Sequence, residues 1–345
     1  MQNNEAEQAA MHRALALGET VRGRTSPNPP VGAVVLRPDG TLAGEGATAP
    51  AGGPHAEVLA LEAAGADARG ATVVVTLEPC AHTGRTPPCA DALIAAGVAR
   101  VVYAAADPNP EASGGADVLE QAGIEVVGGM DDATAAAGAL RPWLHAMRTA
   151  RPFVTWKYAA TLDGRSAAAD RSSRWITGPV ARADVHTLRA IVDAIVVGSG
   201  TVLADDPQLT VRDDEGAPEP HQPLRVVLDR RHRTPQSARV LDQSAETLVL
   251  DTAVPRFALK ALFDRGVRHV LLEGGPTLAG AFIEARCVDE VVAYLAPKLL
   301  GDGPHALGHS GIESIAEAVT LEVELIERLG DDLKIVGRPV WPEGD

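Results

Sequence analysis

The apolar and polar positions divide the chain into short helices and strands. Residues 5–17 space apolar side chains as an amphipathic helix does, and Gly18 ends the run. Residues 31–36 read as a strand leading into the turn Pro38-Asp39-Gly40. Residues 55–64 have helical periodicity and stop at Gly65, and residues 71–77 are a β-branched apolar run of the kind that forms a buried strand. A short helix at 90–96, a strand at 98–105, a helix at 118–122 and a strand at 124–127 follow. Two Arg-Pro pairs, Arg141-Pro142 and Arg151-Pro152, mark a boundary where proline should end any helix. The alternation then restarts with a strand at 153–158, a helix at 181–190 and a strand at 194–198. Further strands are expected at 225–229, 247–251, 269–273, 291–295 and 333–336, with a charged, Pro-rich surface loop at 213–223. Strands alternating with helices imply mainly parallel sheets covered on both faces, in two α/β domains, residues 1–146 and 147–345.

The 345 residues are enough for two such domains, and 46% hydrophobic with 22% charged residues fits globular protein. Aromatics are only 3%, so Ala, Val, Leu and Ile must build the cores, and Trp175 is either a core residue, which composition favours, or a ring-stacking wall. A net charge of -15 disfavours a nucleic-acid partner, which needs basic surface, but leaves room for a small anion held by a few local arginines. The three cysteines, Cys80, Cys89 and Cys287, make no disulfide framework. The first residues lack the basic start and apolar run of a signal peptide, and no apolar stretch reaches the roughly 18 residues of a membrane span. A cytoplasmic protein away from membranes is expected.

The first chemical constellation is Pro54-His55-Ala56-Glu57, Thr76-Leu77-Glu78-Pro79-Cys80 and Pro88-Cys89. His55 and Cys89 sit at predicted helix starts, where exposed amides favour a thiolate, and Cys80 follows a buried strand. Three His and Cys ligands leave a catalytic zinc a fourth position for water, whose pKa the metal lowers. Glu57 is placed to carry protons between that water and a leaving amine. The pattern matches the His-x-Glu and Pro-Cys halves of the zinc deaminase signature, although eight residues separate the cysteines where two are usual. The plainer reading is a structural zinc with His82 as fourth ligand; Glu57, which such a site does not need, argues against it. Before the first strand, Pro27-Asn28-Pro29-Pro30 fixes a loop from which Asn28 can hydrogen-bond a planar base, or is a simple turn.

The second constellation comprises Thr161 to Arg165, Ser173 to Gly178, Gly198 to Pro207, and Glu273-Gly274-Gly275-Pro276-Thr277-Leu278. The last follows a strand and opens a helix, where backbone amides can approach a phosphate, but it is not the ordinary dinucleotide fingerprint. Arg189 and Arg212 are candidates for a substrate phosphate. Lys157 is either an inward functional lysine or an edge charge.

With these residues assembled, the chain resembles the bifunctional riboflavin-biosynthesis deaminase/reductase family from about Glu5 to Arg338. Residues 76–89, 201–212 and 273–280 carry the likeness, and the long Cys80–Cys89 gap, with Gly84-Arg85-Thr86-Pro87-Pro88 inside it, is itself typical of that family. The resemblance implies a cytidine-deaminase-like α/β/α domain that removes the 2-amino group of a diaminopyrimidinone ribosylamino phosphate. In it His55, Cys80 and Cys89 would hold one Zn2+, Glu57 would shuttle the proton, and Asn28 would touch substrate. It implies a dihydrofolate-reductase-like α/β domain that uses NADPH to reduce ribosyl to ribityl. Ala159, Trp175, Thr201, Asp205, Gly275, Pro276, Thr277, Leu278, Ala279, Gly280 and Ala281 would line the cofactor. Ser173, Arg189, Leu209, Arg212 and Glu273 would line the substrate, with Lys157 and Asp205 the polar groups near the reduced carbon. A homo-oligomer acting on a small phosphorylated pyrimidine is expected. Gly115-Ala116 stand where the family usually has a basic residue and then glycine, and Pro30 where a polar residue is frequent. The competing readings are a deaminase with a degenerate reductase domain, a nucleic-acid base deaminase with a C-terminal binding module, and a non-enzymatic zinc module.

Overall fold

The computed structural model describes residues 2–83, 87–213 and 215–342; the segment 84–86 lies outside them. The chain divides into two compact units, Met1–Arg151 and Pro152–Asp345, each with its own sheet and core.

The first unit runs α1 (Gln2–Thr20), β1 (Gly32–Leu36), β2 (Leu42–Ala47), α2 (Ala56–Ala64), β3 (Thr72–Leu77), α3 (Cys89–Ala96), β4 (Arg100–Ala105), α4 (Gly115–Gln121), β5 (Glu125–Gly128), α5 (Asp132–Ala137) and α6 (Arg141–Thr149). Its five strands are ordered β2-β1-β3-β4-β5. Strands β3, β4 and β5 run parallel, but β1 is antiparallel to both its neighbours, which corrects the expectation of a mainly parallel sheet here. The reason is the short Pro38-Asp39-Gly40 turn, which can only return the chain as a hairpin. The returning strand β2, Leu42-Ala43-Gly44-Glu45-Gly46-Ala47, carries no apolar run, so periodicity passes over it. Its glycines have a packing reason. A Cβ at Gly46 would meet the Ala56 carbonyl oxygen and the Ala60 nitrogen at 2.7 Å, and one at Gly44 the Ala60 oxygen and the Ala64 nitrogen at 2.5 Å. Helix α2 therefore lies directly on the β2 backbone, and this helix carries Glu57.

Proline at 142 does not end a helix as expected. It occupies the first turn of α6, where its missing N–H is an orphan anyway, and the expected 146/147 division falls inside this helix. Trp143 of α6 donates its indole N–H to the Pro27 carbonyl at 3.1 Å, tying down the loop before β1 that holds Asn28.

The second unit runs β6 (Phe153–Thr161), α7 (Pro179–Ala190), β7 (Ala194–Gly198), α8 (Ser199–Asp205), β8 (Leu224–Leu228), β9 (Thr247–Leu250), α9 (Pro255–Asp264), β10 (His269–Leu272), α10 (Pro276–Glu284), β11 (Glu290–Ala296), β12 (Thr320–Leu329) and β13 (Asp332–Val340). The eight-stranded sheet has the order β12-β13-β11-β6-β10-β7-β8-β9. From β11 to β9 all pairs are parallel, and a long antiparallel hairpin, β12–β13, completes one side. The hairpin's β12 was not legible because it is exposed on both faces and mixes acidic with apolar residues. Strands β6, β10 and β7 are adjacent, so their carboxyl ends lie side by side, the usual ligand crevice of an open parallel sheet.

Candidate active sites

The first site grows from the ends of three elements. His55 is the N-cap of α2, Cys80 follows β3 after Glu78-Pro79, and Cys89 opens α3. Their ligand atoms all lie within 4.8 Å of one another: His55 Nδ1 is 3.2 Å from Cys89 Sγ and 3.7 Å from Cys80 Sγ. The Cys89 backbone N–H also donates to Cys80 Sγ at 3.4 Å, the helix-start donation that stabilises a thiolate. A hydrogen bond from Cys89 holds the Cys80 thiol well below its ordinary range, at about 4, while that bond and burial push Cys89 up. One nitrogen and two sulfurs converging in a buried pocket are the donor set that zinc prefers, so these residues fit that metal. His82 is not part of the cluster among the described residues, which removes the four-ligand structural reading. Glu57, in the first turn of α2, is 4% exposed and hydrogen-bonded to Cys89. Burial raises its pKa, the condition of a carboxyl group that holds and releases a proton.

Glu78 is a residue that motif reading passed over. Its carboxylate accepts the backbone N–H groups of Asp107 at 3.2 Å, Gly114 at 3.1 Å and Ala116 at 3.3 Å. It thereby staples the loop 107–116 against the strand end that delivers Cys80. A Cβ at Gly115 would lie 1.7 Å from the Pro79 carbonyl oxygen, so the loop seats without a side chain there. Burial raises Asp107 in the same loop to about 6. The acid in the motif Thr76-Leu77-Glu78-Pro79-Cys80 was the available signal. Asn28 lies in the turn before β1, its backbone bonded to Thr25, and it has no hydrogen bond to the cluster among the described residues.

The second site lies where β6, β10 and β7 end. Glu273, directly after β10, takes a two-pronged ion pair from Arg189 of α7, Nε at 2.6 Å and Nη2 at 2.9 Å. Lys157 Nζ lies 3.9 Å from Oε2 of this carboxylate, the oxygen that also accepts from Arg189 Nη2, and 5.9 Å over the Tyr294 ring. Burial alone would raise Glu273, but the two cations hold it at about 2, while burial lowers Lys157. Lys157 belongs to a central strand, so the edge-charge reading falls away. Two cations around one carboxylate leave this cluster with a surplus positive charge.

Two family models, a curated relative and two solved structures decide the family. The cytidine and deoxycytidylate deaminase zinc-binding region matches residues 4–105, and the RibD C-terminal domain matches residues 152–335. The riboflavin biosynthesis protein RibD of Mycobacterium tuberculosis (strain ATCC 25618 / H37Rv) is 53% identical over 324 residues, 94% of this chain and 95% of that protein. The chain belongs to the RibD family. The solved structure of Acinetobacter baumannii RibD (form 1) covers 97% of this chain and 99% of its own, with 40% identity and a TM-score of 0.89. A Thermotoga maritima diaminohydroxyphosphoribosylaminopyrimidine deaminase/5-amino-6-(5-phosphoribosylamino)uracil reductase, 35% identical, also aligns with a TM-score of 0.89 over 97% of this chain and 99% of that one. As a RibD, this chain joins a zinc-dependent deaminase domain to an NADPH-dependent reductase domain of riboflavin biosynthesis and acts on a small pyrimidine. No helix among the described residues is long and apolar enough to cross a membrane.

Within this RibD reductase unit the expected cofactor positions separate into two groups. Gly275 caps α10 and gives its N–H to Thr201 Oγ1 at 3.2 Å, so the two glycine turns meet. Pro276, Thr277, Leu278 and Ala281 follow on the half-exposed side of α10. Ala279 and Gly280 are interior instead: Ala279 is in the core, and a Cβ at Gly280 would lie 1.8 Å from the Gly308 carbonyl oxygen. Trp175 is 63% exposed, which corrects the composition-based placement in a core; the Arg182 guanidinium stacks 4.5 Å from its ring. Ala159 and Ser173 are half-buried, and Asp205 is exposed with its carbonyl held by Arg174 at 2.7 Å. Leu209 is buried at a positive φ of 55°. Arg189 also donates from Nη1 to the Thr210 carbonyl at 3.1 Å.

Proposed function

We propose that the first unit removes the 2-amino group of a diaminopyrimidinone ribosylamino 5′-phosphate and that the second reduces the ribosyl group of the product to ribityl. The convergence of His55, Cys80 and Cys89 beside the buried carboxyl of Glu57 carries the first half of this reading. Those three residues would hold zinc, which would supply a Lewis acid that makes water nucleophilic near neutral pH. Glu57 carries one proton from the attacking water to the ring nitrogen and then the proton of the new hydroxyl to the amino group, which leaves as ammonia as the C2 carbonyl forms. The Glu78 staple keeps the loop 107–116 over the pyrimidine, and Asn28 contacts the base edge.

In the second unit Ala159, Trp175, Thr201, Asp205, Gly275, Pro276, Thr277, Leu278 and Ala281 would hold NADPH, which would supply the hydride that C1′ takes up. Lys157 gives the proton that O4′ takes up as the C1′–O4′ bond opens. Burial favours its proton loss, whereas Asp205 is exposed. Glu273 and Arg189 position Lys157, Ser173 and Leu209 border the sugar, and Arg212 meets the phosphate. The net charge of -15 supports a small-molecule substrate rather than nucleic acid, and the sparse cysteines without a disulfide framework support a cytoplasmic place. The outermost strand β12, with Val323 50%, Leu325 44% and Ile326 65% exposed, supports a homo-oligomer.

The test follows ammonia release and NADPH oxidation together on the diaminopyrimidinone substrate. Both signals, with NADPH consumed only after ammonia appears, are the expected result. Ammonia without NADPH oxidation would mean an inactive second unit, and neither signal in zinc-replete protein would overturn the substrate assignment.

A further inference from the structure

A second group of arginines comes together beside the Lys157–Glu273–Arg189 cluster. Arg212 Nη2 and Arg239 Nη2 both donate to one atom, Gln208 Oε1, the latter at 3.2 Å. The other donors of Arg212 reach Thr210 Oγ1 at 3.2 Å and the Gly216 carbonyl at 3.5 Å. All of these acceptors are neutral, and neither guanidinium has a carboxylate partner among the described residues. The nearby acids do not pair with these two guanidiniums: Asp206 Oδ1 accepts the backbone N–H of Arg239 at 2.8 Å, and Asp242 Oδ1 pairs with Arg225 at 2.9 Å. Two like charges drawn to one amide oxygen repel each other, and that cost is relieved when an anion joins them.

Gln208 is itself fixed. Its Nε2 donates to Asp242 Oδ2 at 2.6 Å and Ser244 Oγ at 3.3 Å, which leaves Oε1 facing the arginines. Behind it lies Arg225, fully buried at 0% exposure, which also donates to the carbonyls of Asp242 at 2.5 Å, Ala245 at 2.6 Å and Gln208 at 3.2 Å. Thr210 joins this group to the reductase cluster, since its carbonyl accepts from Arg189 at 3.1 Å.

We propose that Arg212 and Arg239 form a two-arginine site for a phosphate monoester, with Gln208 the positioning residue that holds both guanidiniums. The proposal rests on the reading of Arg212 as the phosphate contact and adds Arg239 and Gln208 to it. A monoester dianion has enough acceptor oxygens to take both forks, which suits guanidinium better than ammonium. Such a group is present on the pyrimidine substrate and as the 2′-phosphate of NADPH; the Thr210 link to Arg189 favours the substrate.

The test uses the whole chain and measures NADPH oxidation on the deaminated substrate, with inorganic phosphate as competitor. Arg212→Gln and Arg239→Gln should each raise the substrate KM about tenfold or more at little-changed kcat. Gln208→Glu should match them, because a carboxylate between the two guanidiniums takes the place of the phosphate. Inorganic phosphate should compete with substrate in the native chain and lose that competition in all three variants. If Arg212→Gln alone raises KM, the two-arginine site is overturned while the reading of Arg212 stands. If the KM for NADPH rises and that for NADH does not, the monoester site is upheld with the cofactor as its source, and the reading of Arg212 as the substrate contact fails. If no variant shifts either KM, both fall.

Discussion

Two buried carboxyl groups show how surroundings assign opposite tasks to the same side chain. Glu57 lies beside two thiols, and burial raises its pKa, so it can hold a proton. Glu57→Gln should lower ammonia release by about 100-fold or more, while zinc content by atomic absorption and reduction of pre-deaminated substrate stay unchanged. Retained deamination would remove the shuttle role. Glu273 is gripped by Arg189 and Lys157 and stays charged, at about 2 against an ordinary 4.5. A carboxyl depressed on folding adds stability above its unfolded value, and that stability is lost as pH falls from about 4.5 towards 2. Glu273→Gln should destabilise the chain by about 3–5 kcal/mol at pH 7, since it leaves two buried cations unpaired. The penalty should shrink at pH 3, and urea midpoints at the two pH values would show it.

At the scale of elements, helix placement decides where chemistry sits. Helix α2 brings Glu57 to the His–Cys cluster because Gly44 and Gly46 let it rest on the β2 backbone. Gly46→Ala should cost about 1–3 kcal/mol through overpacking and reduce ammonia release as well, because α2 must lift. Unchanged thermal stability would refute the packing argument. The loop 107–116 depends on one carboxylate with three backbone donors. Glu78→Gln replaces one oxygen with a donor facing N–H groups and should raise the KM of the deaminase several-fold, while zinc content is kept.

For the whole molecule, the informative fact is that the two donor sets belong to different compact units, the His–Cys cluster to one and the Lys157–Glu273–Arg189 cluster to the other. Removing metal with a chelator should abolish ammonia release yet leave NADPH oxidation on pre-deaminated substrate intact. Loss of both activities would show that the metal also supports the second unit.

The sequence by itself determined the chemistry and the layer type. His55, Glu57, Cys80 and Cys89 were legible because zinc chemistry demands particular side chains at helix starts and strand ends, and the strands from β3 to β11 because they carry apolar runs, most of them buried, although β5 and β9 are only partly covered. The direction of β1, the glycine-lined β2 and the exposed β12 were not legible. Each depends on what packs against it rather than on its own apolar pattern. Pro142 shows the same limit, since proline breaks a helix interior but opens a first turn, and only the fold says which it occupies. Tertiary structure alone decided that Arg189 grips Glu273, that Glu78 staples a distant loop and that Trp175 faces outward. It also brought Gln208 to Arg212 and Arg239, because residues far apart in sequence share a hydrogen bond only once the sheet has aligned the loops that carry them.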